Sequence, residues 1–110
     1  MRIESVDTFW VRIYISGPLA VAEQLLRQEC LREGLCVTID PTKFIYTGGE
    51  ESGYVVGLVN YPRFLTTPDL LWARARSLAE LLLAGTFQQS VLLVSPARSL
   101  WLSVRPESQK

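Results

Sequence analysis

The residues that could carry out chemistry in this 110-residue chain are few, and their most distinctive grouping is GGEESG at residues 48 to 53. Consecutive backbone N–H groups near Gly48 and Gly49 could bind an anion, and the carboxylates of Glu50 and Glu51 could bind a hard cation. The same stretch is also typical of a solvated hairpin turn, because glycine accepts positive φ angles without steric cost. The sequence favours the turn and leaves a contact site as the second possibility.

Histidine is absent, and the only cysteines are Cys30 and Cys36. Histidine is the usual general base, zinc ligand and triad member, so its absence removes the familiar hydrolase mechanisms. The cysteines lack C-x-x-C spacing and are interpreted as reduced thiols. An enzyme would have to use a cysteine or a carboxylate such as Glu50, and Cys30 falls near a predicted helix C-terminus, where the dipole disfavours a thiolate. We therefore predict a protein that is not an enzyme and has no cofactor and no metal site.

The overall composition indicates one globular domain over residues 1–110, with short polar tails at about 1–7 and 106–110. Hydrophobic residues make up 48% of the chain and charged residues 20%, which is enough apolar material for a core. Basic and acidic residues balance at 11 each, so a nucleic-acid partner is not favoured. Neither a signal peptide nor a membrane-spanning run of apolar residues is recognisable, and we expect a cytoplasmic protein without a membrane partner.

Hydrophobic periodicity and capping residues predict the order of the secondary structure. The predicted elements are a strand in FWVRIYI, a helix over about 18–33, strand character over about 36–47, a strand over 54–61, a helix from the Thr67 cap to Gly85, and a final hairpin made of SVLLVS and SLWLSV. This order is that of an α+β, ferredoxin-like (split βαβ) two-layer sandwich, βαββαβ, with one extra C-terminal strand. A different α+β arrangement is the competing interpretation.

Residue alternation predicts a sheet face that no helix covers. If the β-branched residues of the first strand point at the helices, then Trp10, Arg12 and Tyr14 point away, and Trp101 and Arg105 do the same in the last strand. These five residues are our candidates for binding a partner, either a second copy in a homodimer or another protein. Base stacking is disfavoured because the RNA-binding aromatic motif is absent.

The function predicted first is therefore a non-enzymatic interaction or regulatory module that self-associates or binds a protein through the open sheet face. The alternative is a regulatory domain that binds a small molecule or a nucleotide at the glycine-containing segment. The ligand-binding candidates for that alternative are Tyr46, Gly48, Gly49, Glu50, Glu51 and Tyr54.

The segment GLCVTIDPTKFIYTGGEESGYVVGLVNYPRF, residues 34–64, resembles a segment of small uncharacterised bacterial proteins, some of them encoded in phage or prophage regions. The resemblance implies no activity and no site residue. It favours a second alternative, in which the chain is a phage accessory protein that modulates a host protein.

Overall fold

A computed structural model describes residues 1–105, and the predicted C-terminal tail at 106–110 lies outside the described residues. The elements in chain order are β1 (Trp10–Ser16), α1 (Leu19–Glu33), β2 (Thr38–Tyr46), β3 (Gly49–Val59), α2 (Pro68–Gly85), β4 (Ser90–Val94) and β5 (Ser99–Ser103). The strands form one antiparallel sheet in the order β2-β3-β1-β4-β5. The predicted ferredoxin-like arrangement is confirmed, and the extra strand β5 pairs with β4.

The core lies between the sheet and the two helices. Every second residue of β1 is buried, and the same alternation in β3 and β4 directs their apolar side chains to the same face. Helix α1 contributes Ala22 and Leu26 to this core, and α2 contributes a longer buried stripe. The largest fully buried side chains are Tyr54, Ile13, Ile15, Leu58, Leu71, Leu82, Leu93, Val56 and Val91.

The start of α2 and the end of α1 follow their predicted capping residues. The Thr67 hydroxyl accepts a hydrogen bond from the Leu70 N–H at 3.2 Å, and Pro68 occupies the first helical position of α2. Helix α1 ends at Gly34, whose φ of +60° lets its N–H bond the Cys30 carbonyl. Within residues 1–105, no helix combines the length and the apolar character that crossing a membrane requires.

The hairpin of β2 and β3 corrects the prediction for GGEESG. The turn consists of Thr47 and Gly48 alone, and β3 already begins at Gly49. The last pair between β3 and β1 is Gly53 with Ser16, so residues 49–52 pair only with β2. We call residues 43–46 and 49–52 the hairpin arm. The arm extends beyond the helices, so both of its faces are largely exposed to solvent. Polar residues are therefore tolerated in its strands, although the sequence pattern assigns several of them to a loop.

Candidate functional site

The face of the sheet opposite the helices, which we call the open face, carries a group of aromatic and polar side chains. Directly paired residues of antiparallel strands point to the same side of a sheet. The pairing of Tyr14 with Leu92, and of Leu92 with Trp101, therefore places Tyr14 and Trp101 together on this face. By the same alternation Ser16 and Glu51 also point to it.

Three of these side chains form a hydrogen-bonded group, the Glu51 cluster, which consists of Ser16, Tyr46 and Glu51. The Ser16 hydroxyl donates to one Glu51 carboxylate oxygen at 2.6 Å, and the Tyr46 hydroxyl donates to the other at 3.1 Å. The first bond joins residues 35 positions apart and ties the hairpin arm to the end of β1. An isolated two-stranded hairpin is marginally stable, so this tie also holds the arm in place.

A cavity of about 270 Å³ adjoins the Glu51 cluster on the open face. Tyr14, Phe44 and Trp101 supply aromatic walls, and the hydroxyls of Ser16 and Ser90 add polar groups. The volume is close to the lower limit of about 300 Å³ for small-molecule pockets. Ser16 belongs to both the cluster and the cavity, so a ligand in the cavity would lie beside the Glu51 carboxylate.

The electrostatics of the cluster keep Glu51 ionised and Tyr46 protonated. The hydrogen bond from Ser16, followed by the one from Tyr46, lowers the pKa of Glu51 below its ordinary value. The bond to Glu51 raises the pKa of Tyr46 in turn. At neutral pH the cluster therefore presents a fixed carboxylate next to a phenol that acts as a hydrogen-bond donor.

We expect the Ser16→Ala variant to have a higher Glu51 pKa than the wild-type protein, and by more than the Tyr46→Phe variant, because the Ser16 bond is the largest cause of the shift. The measurement is an NMR titration of the side-chain carboxyl carbons from neutral to acidic pH. In the wild-type protein, the Glu51 carbon should titrate below the ordinary range of a glutamate carboxyl. A Glu51 carbon unchanged by Ser16→Ala would contradict the geometry described above.

Gly53 permits a close packing of β1, β2 and β3 beside the Glu51 cluster. A Cβ atom at Gly53 would overlap the Ile15 carbonyl oxygen and would lie 2.5 Å from the Phe44 ring. The missing side chain lets Phe44 pack across β3, next to the end of β1. The glycine is therefore a steric requirement of the site rather than of a turn.

The residues predicted to bind a partner are divided between two ends of the open face. Tyr14 and Trp101 line the cavity, and Trp101 is 62% exposed. Arg105 follows β5, where its guanidinium donates to the Gln89 side chain at 2.6 Å and lies near enough to Glu51 to lower its pKa slightly. Trp10 and Arg12 lie at the other end of β1, where the guanidinium stacks on the indole at 4.3 Å.

The residues predicted to bind a ligand are separated by the alternation of β3. Tyr46 and Glu51 meet in the cluster, and Gly49 lies against the Tyr46 ring. Gly48 is in the turn with a φ of +88°. Glu50 points to the opposite face of the arm and pairs with the Lys43 ammonium at 2.9 Å, away from the cluster.

Tyr54 does not belong to the site, which corrects its prediction as a ligand contact. It is fully buried in the core on the helix side, and burial raises the pKa of its phenol. Its hydroxyl has no hydrogen-bond partner among residues 1–105, and the nearby Thr86 hydroxyl donates to the Leu82 carbonyl.

Ser16, Phe44 and Ser90 are site residues that the sequence analysis did not select. Ser16 continues the alternation of Trp10, Arg12 and Tyr14 and could have been found from that pattern. Phe44 and Ser90 could be assigned only once the register of their strands was known.

The cysteines do not supply an alternative site. Burial, and next the neighbouring Cys36 thiol, raise the pKa of Cys30 and disfavour its thiolate. Within residues 1–105, no three His, Cys, Asp or Glu side chains converge closely enough to hold a metal ion.

Comparisons with known proteins find the fold but no sequence relative. The chain matches no family model and no curated protein. A phage SAM lyase in complex with S-methyl-5'-thioadenosine is similar in structure, with a TM-score of 0.70 and 12% identity over 94% of this chain and 97% of that one. A phage SAM lyase in the apo state gives a TM-score of 0.68 and 13% identity over 96% and 98%. At these identities the likeness concerns the fold.

Both are structures of a phage enzyme. This finding overturns the predictions that the protein is a non-enzymatic interaction module and is not an enzyme. The same fold, over nearly the whole chain, is found in an enzyme whose structure contains a bound small molecule. The prediction rested on missing histidines, which exclude only mechanisms that use histidine. It could not take account of a carboxylate, a phenol and a hydroxyl that distant strands bring together.

The likeness to phage proteins agrees with the phage association of the sequence resemblance. A homodimer or a complex with another protein stays a prediction, as does a cytoplasmic location.

Proposed function

We propose that this protein is an enzyme that binds an adenosyl sulfur compound on the open face, beside the Glu51 cluster, and cleaves a carbon–sulfur bond of a sulfonium substrate. The observation that carries the proposal is that the Glu51 carboxylate is hydrogen-bonded to Ser16, one of the residues that line the aromatic cavity. The fold shared with the SAM lyase structures supports the choice of substrate class.

The aromatic cavity suits a nucleoside. Purine rings stack well on aromatic side chains, and such stacking contributes about 1 to 3 kcal/mol per base. Trp101 is the most exposed of the three aromatic walls and offers the widest free ring face. The hydroxyls of Ser16 and Ser90 lie in the same cavity and can hydrogen-bond a ribose.

The Glu51 carboxylate suits the sulfur end of such a ligand. SAM is a sulfonium, and a positively charged sulfur is attracted both by a carboxylate and by aromatic ring faces. When the carbon–sulfur bond breaks, its electron pair passes to sulfur, which becomes a neutral thioether. The carbon that leaves sulfur forms a bond to an oxygen of the substrate's own carboxylate and closes a lactone, so no proton is lost and no further reactant is needed. Glu51 is a weak base because both of its oxygens accept hydrogen bonds. We therefore assign it the role of a fixed anion that orients the sulfonium, with Tyr46 and Ser16 as positioning residues.

The experiment is incubation of the purified protein with SAM and chromatographic detection of S-methyl-5'-thioadenosine. We expect the amount of this thioether to increase with protein concentration and with time. As the reaction product, it should also show saturable binding to the protein in isothermal titration calorimetry. A heat-inactivated sample corrects for spontaneous breakdown of SAM.

The two measurements separate binding from chemistry. Binding of the thioether without turnover of SAM would support the nucleoside site and reject the lyase reaction. Absence of both binding and turnover would reject the proposed function as a whole.

A further inference from the structure

A second cavity lies at the opposite end of β1 from the Glu51 cluster. It has a volume of about 420 Å³ and is formed where the starts of β1 and α2 meet the turn between β4 and β5. We call it the tryptophan pocket, since Trp10 and Trp72 both line it, with Leu71 as a further apolar wall. Trp10 and Ser16 are six residues apart on one strand, so the two sites are separated by about 20 Å at a rise of about 3.3 Å per residue.

Both indoles of this pocket are held by guanidinium groups. Arg98 stacks over Trp72 at 4.2 Å, and Arg12 stacks over Trp10 at 4.3 Å. Each stack restricts one ring face and fixes the plane of the ring. The pocket walls are therefore set before a ligand arrives, which lowers the entropic cost of binding.

Arg98 is presented by a rigid turn. The Ser95 N–H donates to the Arg98 carbonyl at 2.8 Å, and the Arg98 N–H donates to the Ser95 hydroxyl at 3.1 Å. The Ala97 N–H donates to the same hydroxyl. These bonds fix the backbone that carries the guanidinium at the edge of the pocket.

An opposite charge lines the same pocket. Asp69 lies in the first turn of α2, three residues before Trp72 and therefore on the same side of the helix. Among residues 1–105, neither Asp69 nor Arg98 takes part in an ion pair within 4.0 Å. The pocket thus holds one carboxylate and one guanidinium, both available to a ligand, with apolar surface around them.

The presence of both Asp69 and Arg98 restricts which charges a ligand of this pocket can carry. A phosphate would be repelled by Asp69, and a simple cation by Arg98. An uncharged hydrocarbon would leave both charges without a partner. A zwitterion places an ammonium group near Asp69 and a carboxylate near Arg98, whose fork of N–H donors matches carboxylate geometry.

We propose that the tryptophan pocket is a binding site for a free α-amino acid with an aromatic or large aliphatic side chain. The side chain packs against Trp10, Trp72 and Leu71, and the charged α-groups are bound by Asp69 and Arg98. The site is separate from the proposed reaction at Glu51 and does not depend on it.

The test uses L-phenylalanine as the probe in isothermal titration calorimetry with the whole protein. We expect saturable binding that weakens at least about tenfold when the α-ammonium is acetylated or the α-carboxylate is converted to an amide, because each change removes one charge-assisted contact. Equal binding of all three compounds, or no saturable heat up to about 10 mM, a limit that still detects millimolar affinity, overturns the proposal.

Variants assign each charge to its residue. Arg98→Gln should weaken phenylalanine binding about tenfold or more and should abolish the preference for the acid over the amide. Asp69→Asn should weaken phenylalanine binding by a similar factor and should abolish the preference for phenylalanine over its N-acetylated form. Arg76→Gln is the matched control, since Arg76 lies on α2 outside the pocket and pairs with Glu80. A preference for the acid that persists in Arg98→Gln contradicts the assignment, and the wild-type series remains decisive if a variant fails to fold.

The Glu51→Gln variant separates the two sites. It should bind phenylalanine as the wild-type protein does, because Glu51 lies at the other end of the sheet. A loss of phenylalanine binding in this variant would place the amino acid at the open face instead and would overturn the proposal.

Discussion

Replacing Glu51 with Gln should lower the rate of S-methyl-5'-thioadenosine formation by at least about a hundredfold, the size of effect typical of a lost electrostatic contact in an active site. The substitution preserves the shape of the side chain but removes the anion that the proposed sulfonium substrate would face. The glutamine amide also places an N–H donor where one of two hydroxyl donors now bonds the carboxylate. The measurement is the initial rate at saturating SAM, with binding of the thioether measured in parallel.

The matched control is Glu50→Gln, which makes the same change one residue earlier on the opposite face of the hairpin arm. Glu50 and Lys43 form an ion pair in which both side chains are exposed, and such pairs contribute little to stability. The control should keep the rate within about twofold of wild type, as expected for a surface change away from the site. Equal losses in the two variants would show that charge on the arm matters in general and that the Glu51 cluster has no specific role.

Thermal melts of the two variants distinguish a lost function from a loosened arm. Glu51→Gln should lower the melting temperature more than Glu50→Gln does, because the bond to Ser16 ties the arm to β1. If the rate of Glu51→Gln returns to that of the wild-type protein at temperatures well below both melting transitions, the carboxylate acts only by stabilising the arm.

Replacing Gly53 with Ala should lower the free energy of unfolding by about 2 to 3 kcal/mol, in the upper part of the range for overpacking a tightly packed interior. The new methyl group would meet the Ile15 carbonyl oxygen and the Phe44 ring. The oxygen belongs to a central strand and cannot move without disturbing the pairing of β1 with β3. Urea denaturation followed by circular dichroism measures the change.

Gly57→Ala is the control, four residues further along β3 and on the same face. Its methyl group would meet the Thr38 hydroxyl at 2.5 Å, which is a side-chain atom that can rotate away. We expect a loss below about 1 kcal/mol, as for most tolerated substitutions. If both alanines destabilise the protein equally, the close approach at Gly53 is not the constraint that the structure indicates.

Much of the fold follows from local sequence signals. The alternation in FWVRIYI, the Thr67–Pro68 start of α2 and the glycine at the end of α1 each act over a few residues, and each is confirmed. Local signals also gave one wrong prediction. The polar residues of GGEESG predict a six-residue connection, whereas the chain makes a two-residue turn and continues as a strand.

The site required information that no short segment contains. With a turn of only Thr47 and Gly48, Glu51 pairs with Phe44 and shares its face, whereas Glu50 points the other way. A shift of one residue in that register would exchange the two carboxylates between the faces.

The sequence by itself determined which strands and helices form and their order, though not where β3 begins, because hydrophobic period and capping act between neighbours in the chain. Only the tertiary structure decided that Ser16 meets Glu51 and that Phe44 packs over Gly53, since the first contact joins residues 35 positions apart and the second depends on the register of β2 with β3. The alignment results from burying one face of the central strands β1, β3 and β4 against the helices. It is therefore a property of the assembled core and of no single segment.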